Sequence, residues 1–308
     1  MKIFAKIIIY SFIFILLFSD CKKKENVEET SYKTQTVSKD IVEELPFPLL
    51  PSDINTPQEK ADYLLMHFWD EMNFTDTVRS RNEDFLAQNF VNFIALFPFA
   101  NNDSRFKASR YLLNKAKADT VAFEKLTEVI HRYLYDVESP MLSEENYIPF
   151  LQALIEDPFP DNSTGESAEI TLGEIMKNRV GSIAADFNYI TRDDKSMSLY
   201  TTPSGKDLML IFYDPECEVC KGVIRKLSND AAITQRIEAG ELTIVAVYSG
   251  EKKEIWEKEV SNLPENWIVG YEPGEIDRKE IYILRASPTI YLLNGDTKEV
   301  IVKDMIFK

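Results

Sequence analysis

Apolar residues follow two different periods along this chain, and the change falls a little past its middle. Between Thr56 and about residue 160 they recur every three to four positions. One set is Leu64, Leu65, Phe68 and Met72, a second Leu86, Phe90, Phe93, Ile94 and Phe97, and a third Phe106, Leu112, Leu113 and Ala116. Leu126, Val129, Ile130, Tyr133 and Leu134 follow, then Phe150, Leu151, Leu154 and Ile155. Such spacing puts each set on one side of an α-helix and predicts amphipathic helices around a shared core. The first start is marked by Thr56-Pro57-Gln58-Glu59, with a hydroxyl cap, proline at the first helical position and Glu three after the cap. Pro98, Pro140 and Pro158 punctuate the rest. No fixed-length repeat is visible, so an irregular bundle of four or five helices is expected rather than a solenoid. Phe68, Trp69, Phe90, Phe93 and Phe97 fall at core spacing, not as an exposed groove.

From about Val180 the pattern shortens. Leu208–Tyr213, Thr243–Tyr248, Trp267–Tyr271, Thr289–Leu293 and Val300–Lys303 read as strands, with helices after Cys220 and around Ile255–Val260. Alternation of this kind predicts an α/β sheet covered by helices. Phe159-Pro160-Asp161-Asn162-Ser163-Thr164-Gly165 reads as a loop or linker. The expected organisation is a helical domain over residues 52–165 and an α/β domain over 178–308.

The first residues have another use. Lys2 and Lys6 precede an apolar run from Ile7 to Phe18, a secretory leader over residues 1–20 that is short for a membrane span of about 20 residues. Cys21 directly after it resembles the acylated cysteine of bacterial lipoproteins, with Asp20 where a small residue is usual. An ordinary leader or an uncleaved anchor with an incidental Cys21 is the alternative. Residues 21–51 are mostly charged and polar, which suits a tether. The formal charge of −16 argues against a nucleic-acid partner and against electrostatic binding to anionic lipid, so membrane attachment is expected through the acyl chains. Lys22-Lys23-Lys24 beside the anchor is a local exception.

Three cysteines are present, and acylation of Cys21 would leave Cys217 and Cys220. Cys217-Glu218-Val219-Cys220 lies between a strand-like and a helix-like run. Positions i and i+3 of a first helical turn are neighbours, and the helix N-terminus favours a thiolate at Cys217. Cys220 is then placed to resolve a mixed disulfide. A bridge closing so small a loop stabilises little, which favours a redox use over a structural one. A zinc site needs about four ligands, and no second cysteine pair exists. His67 and His131 fall in the helical part and read as ordinary bundle residues. Neither a metal nor another cofactor is expected, and an inert disulfide stays open as the alternative.

With these residues in place, positions 180–308 resemble the thioredoxin-like fold, in particular exported thiol–disulfide oxidoreductases of the TlpA/ResA kind. The likeness rests on the strand 208–213, Asp214-Pro215-Glu216 leading into Cys217-Glu218-Val219-Cys220-Lys221, Ser287-Pro288-Thr289, and the lead-in Gly181-Ser182-Ile183-Ala184-Ala185-Asp186-Phe187. The whole chain resembles a group of Bacteroidetes lipoproteins in which a helical domain of unknown function precedes a thioredoxin-like domain. The resemblance implies an α + α/β chain, catalytic Cys217 and Cys220, and a substrate groove at Ser287, Pro288 and Thr289, with Pro288 at the cis-proline position. It implies protein disulfides as substrates and a membrane thiol electron donor as partner, in the bacterial envelope facing the periplasm. Ile211 stands where thioredoxin has a buried acid, and Glu216 where tryptophan is usual.

Glu216, Glu218 and Lys221 are the expected tuning residues. Asp214, Glu216 and Glu218 crowd the motif against one cation, Lys221, which predicts a raised Cys217 pKa and hence a reductant or selective exchanger. The competing reading is a scaffolding lipoprotein whose helical domain carries the function and whose thioredoxin fold is inert. Asp76-Thr77-Val78 and Asp119-Thr120-Val121 resemble short O-glycosylation sites of that bacterial group, and the second reads equally as a helix start.

Overall fold

The computed structural model describes residues 43–305, and its first helix, α1 (Pro57–His67), starts where the sequence places it. The Thr56 hydroxyl accepts from the Glu59 amide at 3.2 Å, and the Glu59 carboxylate accepts from the Thr56 amide at 3.1 Å. Both halves of the capping box are therefore made. Then come α2 (Thr77–Ser80), α3 (Glu83–Ile94), α4 (Asn102–Ala116), α5 (Thr120–Leu134), α6 (Glu144–Glu156) and α7 (Asn162–Met176). Phe90, Phe93, Phe97 and Phe150 are fully buried in their common core, with Phe90 and Phe150 5.8 Å apart between ring centres. Asp76 caps α2 and Asp119 caps α5, so both Asp-Thr pairs serve as helix starts.

Two expectations need correction. The leader over residues 1–20, Cys21 and the tether up to residue 42 lie outside the described residues, but the expected tether over 21–51 does not run as far as 51. Leu45 is buried in the helical core, and its amide donates to the side chain of Asn89 at 2.7 Å. Asn89 in turn donates to the Phe85 carbonyl at 2.8 Å. A buried asparagine makes this anchor, and a helical stripe read for apolar residues passes over it. Asn89→Ala leaves the buried Leu45 amide without its acceptor and is expected to cost about 1–3 kcal/mol. A thermal melt checks this, and an unmoved midpoint would refute the anchor.

The second correction concerns the loop expected over 159–165. Asp161 caps α7, which begins at Asn162, and Gly165 packs so close to Pro158 that a Cβ there would lie 2.8 Å from Pro158 Cγ. Asp, Asn and Ser favour turns and helix caps alike, so composition alone does not separate the two.

Beyond α7 the described residues form a seven-stranded sheet: β1 (Asn188–Thr191), β2 (Ser196–Ser198), β3 (Asp207–Phe212), β4 (Leu242–Ser249), β5 (Ile268–Glu272), β6 (Thr289–Asn294) and β7 (Val300–Val302). Their order is β2-β1-β5-β4-β3-β6-β7. β3, β4 and β5 are parallel, while β6 pairs antiparallel with β3. Helices α8 (Glu218–Asn229), α9 (Ala231–Glu238), α10 (Lys253–Glu259) and α11 (Glu275–Arg278) complete the α/β part. β3 is apolar on both faces: Met209 and Ile211 join one core with Cys220 and Ile224, while Leu208, Leu210 and Phe212 join the other. That placement fixes the end of β3, and with it the turn that carries the cysteines.

The helical and sheet parts belong to one compact unit. Arg179 grips Glu145 with two nitrogens at 2.6 Å each, and Lys177 pairs with Glu280 at 2.6 Å. Deeper in, Arg285 donates to the Tyr135 carbonyl at 2.7 Å and to Glu144 at 2.9 Å, and pairs with Asp304. Its guanidinium lies 4.0 Å from the centre of the Tyr135 ring, and Lys303 pairs with Glu144 at 2.9 Å.

Candidate active site

After β3 the chain turns through Asp214, whose carboxylate accepts from the Glu216 amide at 2.7 Å and whose carbonyl accepts from the Cys217 amide at 3.1 Å. Cys217 thereby becomes the cap of α8, its Sγ accepting from the Cys220 amide at 3.3 Å. It is half-buried, whereas Cys220, one turn on, is fully buried, and both thiols are free. The loop before β6 faces them from the other side. Ser287 Oγ lies 3.1 Å from Cys220 Sγ, and the Ser287 carbonyl 3.6 Å from Cys217 Sγ. The Ser287–Pro288 peptide bond is cis. Thr289 is buried behind it, its hydroxyl donating to the Ala286 carbonyl at 2.6 Å, so its side chain braces the loop. Cys217, Cys220, Ser287 and Pro288 thus meet in one place.

The two thiols differ in kind. Burial pushes Cys217 up, but hydrogen bonds from the Cys220 amide and thiol, the Val219 amide and the Ser287 hydroxyl outweigh it and bring the group below an ordinary thiol. Burial dominates at Cys220 and pushes it up to about 11. Ile211 sits in the apolar cluster beside Cys220, and the hydroxyl of Ser287 is the polar side-chain group in contact with that thiol.

The expected raised pKa of Cys217 is therefore overturned. Asp214, Glu216 and Glu218 are all exposed, where solvent screens them. Glu218 also pairs with Lys221 at 2.9 Å, which offsets its charge. Short-range amide hydrogen bonds decide the outcome, and those follow from the capping geometry rather than from neighbouring side chains in sequence. Because the thiolate is the reacting form, iodoacetamide should alkylate Cys217 at a rate rising with pH through a midpoint below that of free cysteine. Cys220 should stay unmodified until the pH approaches about 11. A Cys217 midpoint above that of free cysteine would restore the acid-neighbour account.

A mixed sheet with a dithiol capping the helix after β3, faced by a cis-proline loop, defines a thioredoxin-like protein. Residues 19–178 match the family described as a domain of unknown function (DUF5106), and the chain belongs to that family. A thioredoxin-like protein from Bacteroides caccae is similar across both parts, at 30% identity and a TM-score of 0.75, covering 85% of this chain and 94% of that one. A conserved protein of unknown function from Bacteroides fragilis shares 35% identity over 42% of this chain and 93% of its own, with a TM-score of 0.40. The thioredoxin domain of a thiol-disulfide oxidoreductase from Bacteroides vulgatus shares 21% identity over 41% of this chain and 88% of its own, with a TM-score of 0.34. No curated protein matches the chain.

Sequence reasoning missed the residues that join the helical part to the site. Val137, Glu138 and Leu142, between α5 and α6, line a cavity that reaches Ser287 and Pro288. Arg285, Glu144, Asp304 and Lys303 tie that region to the sheet. Their contacts span up to 150 positions of chain, as between Arg285 and Tyr135, and no local pattern marks them.

Proposed function

We propose that the protein is an exported, lipid-anchored thiol–disulfide exchanger acting on protein disulfides. The Cys217 thiolate attacks one sulfur of a substrate disulfide, forming a mixed disulfide and expelling the other sulfur as a thiolate that takes up a proton. Cys220, on losing its proton, attacks Cys217 Sγ, so the substrate's second sulfur leaves as a thiol and the enzyme is left oxidised. Two electrons pass to the substrate, and a membrane thiol donor restores the dithiol. The observation that carries this reading is the asymmetry of the pair: half-buried Cys217 caps α8 and accepts from the Cys220 amide at 3.3 Å, while Cys220 is fully buried, an arrangement that draws the first thiol down and the second up. The same two steps run in reverse when the oxidised protein meets a substrate dithiol, so the function proposed is selective exchange, with its direction set by the potential of the pair. Anchoring through Cys21 on the periplasmic side belongs to the same proposal.

The first experiment is a redox-buffer titration of the protein lacking residues 1–21. A potential near about −270 mV places it with reductants and one near about −120 mV with oxidants. A folded protein whose dithiol never exchanges with small thiols would refute the reading and turn attention to the helical part.

A further inference from the structure

We propose that the loop between α5 and α6 forms one wall of the substrate groove and selects protein disulfides with an apolar residue beside the reacting cysteine. This rests on the exchange reading above and adds the substrate class. A cavity of about 280 Å³ lies between that loop and the Val219 and Ser287-Pro288 surface that flanks the dithiol. Val137 and Leu142 close it from the helical side, while Val219, Ser287 and Pro288 close it from the sheet side. Val219, between the two cysteines, is 65% exposed. Apolar surface beside a nucleophile, facing apolar residues across a gap, suits a side chain arriving with the substrate. The volume lies at the lower edge of the roughly 300–1,000 Å³ of sites for drug-sized ligands, room enough for a side chain of an extended peptide.

The wall is held in place before any substrate arrives. Ser139, buried in the loop, donates to the Tyr133 carbonyl at 2.7 Å and accepts from the Met141 amide at 3.1 Å. The Ser143 amide closes the loop on the Leu134 carbonyl at 3.0 Å. Arg285, two residues before Ser287, grips the Tyr135 carbonyl and ring. Arg285 therefore ties the groove's two walls together, alongside the Lys303–Glu144 pair, and a preordered groove loses less entropy on binding.

Charge narrows the occupant further. Asp304 at the cavity is paired with Arg285, but Glu138 is exposed at the rim and has no ion-pair partner among the described residues. With a formal charge of −16 behind it, this rim disfavours glutathione disulfide and acidic peptides, and it accepts neutral or basic ones.

The test uses the reduced protein and two synthetic peptides, each with one cysteine capped as its mixed disulfide with thionitrobenzoate. One peptide has leucine on both sides of the cysteine and the other glutamate. Attack on the peptide sulfur releases the coloured thiolate, and hydroxyethyl disulfide serves as the small reference. The leucine peptide is expected to react about tenfold faster than the glutamate peptide or more, in line with burial of one aliphatic side chain. In Val137→Gln, and separately in Leu142→Gln, each of which removes apolar wall without adding charge, that ratio should fall to threefold or less; as a ratio within each variant it is insensitive to partial loss of folded protein. Equal rates in the unaltered protein, or a tenfold ratio surviving both substitutions, would overturn the groove assignment and leave the exchange reading standing. A dithiol that does not react even with hydroxyethyl disulfide would overturn both.

Discussion

Cys217→Ser is expected to abolish exchange, lowering the rate by at least ~10³-fold, or about 4 kcal/mol of barrier. Serine keeps the shape of the cap but presents a hydroxyl that stays protonated where Cys217 is drawn toward thiolate. Cys220→Ser should behave differently. Cys217 still attacks, the mixed disulfide forms, and without a resolving thiol it persists. A single turnover should therefore end in a trapped adduct, visible as one substrate mass added to the protein and lost on reduction. The asymmetry of the thiols predicts which variant traps and which is inert. An adduct accumulating on Cys220 in the Cys217→Ser variant would reverse the assignment of attacking and resolving sulfur.

Arg285→Met should lower stability by about 3–5 kcal/mol and the melting temperature by on the order of 10 °C. Arg285, Glu144, Asp304 and Lys303 are all largely buried: two cations against two carboxylates. Burial holds the Glu144 carboxyl above its usual range despite Lys303 and Arg285. At Arg285 burial opposes the charge, and Asp304 together with Glu144 and Tyr135 more than offsets it. Desolvation and attraction thus work against each other, and the intact cluster adds little net stability as charge alone. Removing one member is another matter, because Asp304 then keeps a buried charge without its partner. Denaturant titration of the variant checks the size of the effect, and a loss under about 1 kcal/mol would show that water reaches the cluster and screens it. The same substitution should blunt the leucine preference, since the groove wall loses its tie to Arg285.

Much of the dithiol site was legible because its geometry is local. A strand, a turn and a helix start set the spacing of Cys217 and Cys220, and Ser287-Pro288-Thr289 opens the strand beside β3. The first helix was equally legible, since a capping box lies within four residues. What escaped has physical reasons. β1 and β2 are short and lie at one side of the sheet, so neither shows an alternating run. α9 buries no residue fully and sets only Ile233 and Ile237 against the core, too short a stripe to read. The sign of the Cys217 shift escaped because sequence lists which charges are near but not which way they point; Glu218 turns to Lys221 while the amides turn to the sulfur. The cavity wall escaped because Val137 and Pro288 meet only after both parts have folded.

The Arg285 cluster also bears on how such a chain can be cut or recombined. A polypeptide severed after Asn178 would keep Arg285, Lys303 and Asp304 but lose Glu144, leaving two cations facing a single carboxylate. It would also bare Ile290 and Met305, which line the cavity shared with the helical part. The excised half would then be a poor stand-in for the whole, with an altered electrostatic setting just upstream of the proline that faces the sulfurs. Grafting this α/β half onto a foreign helical partner would likewise require a carboxylate in the place of Glu144, so the two halves are constrained to change together.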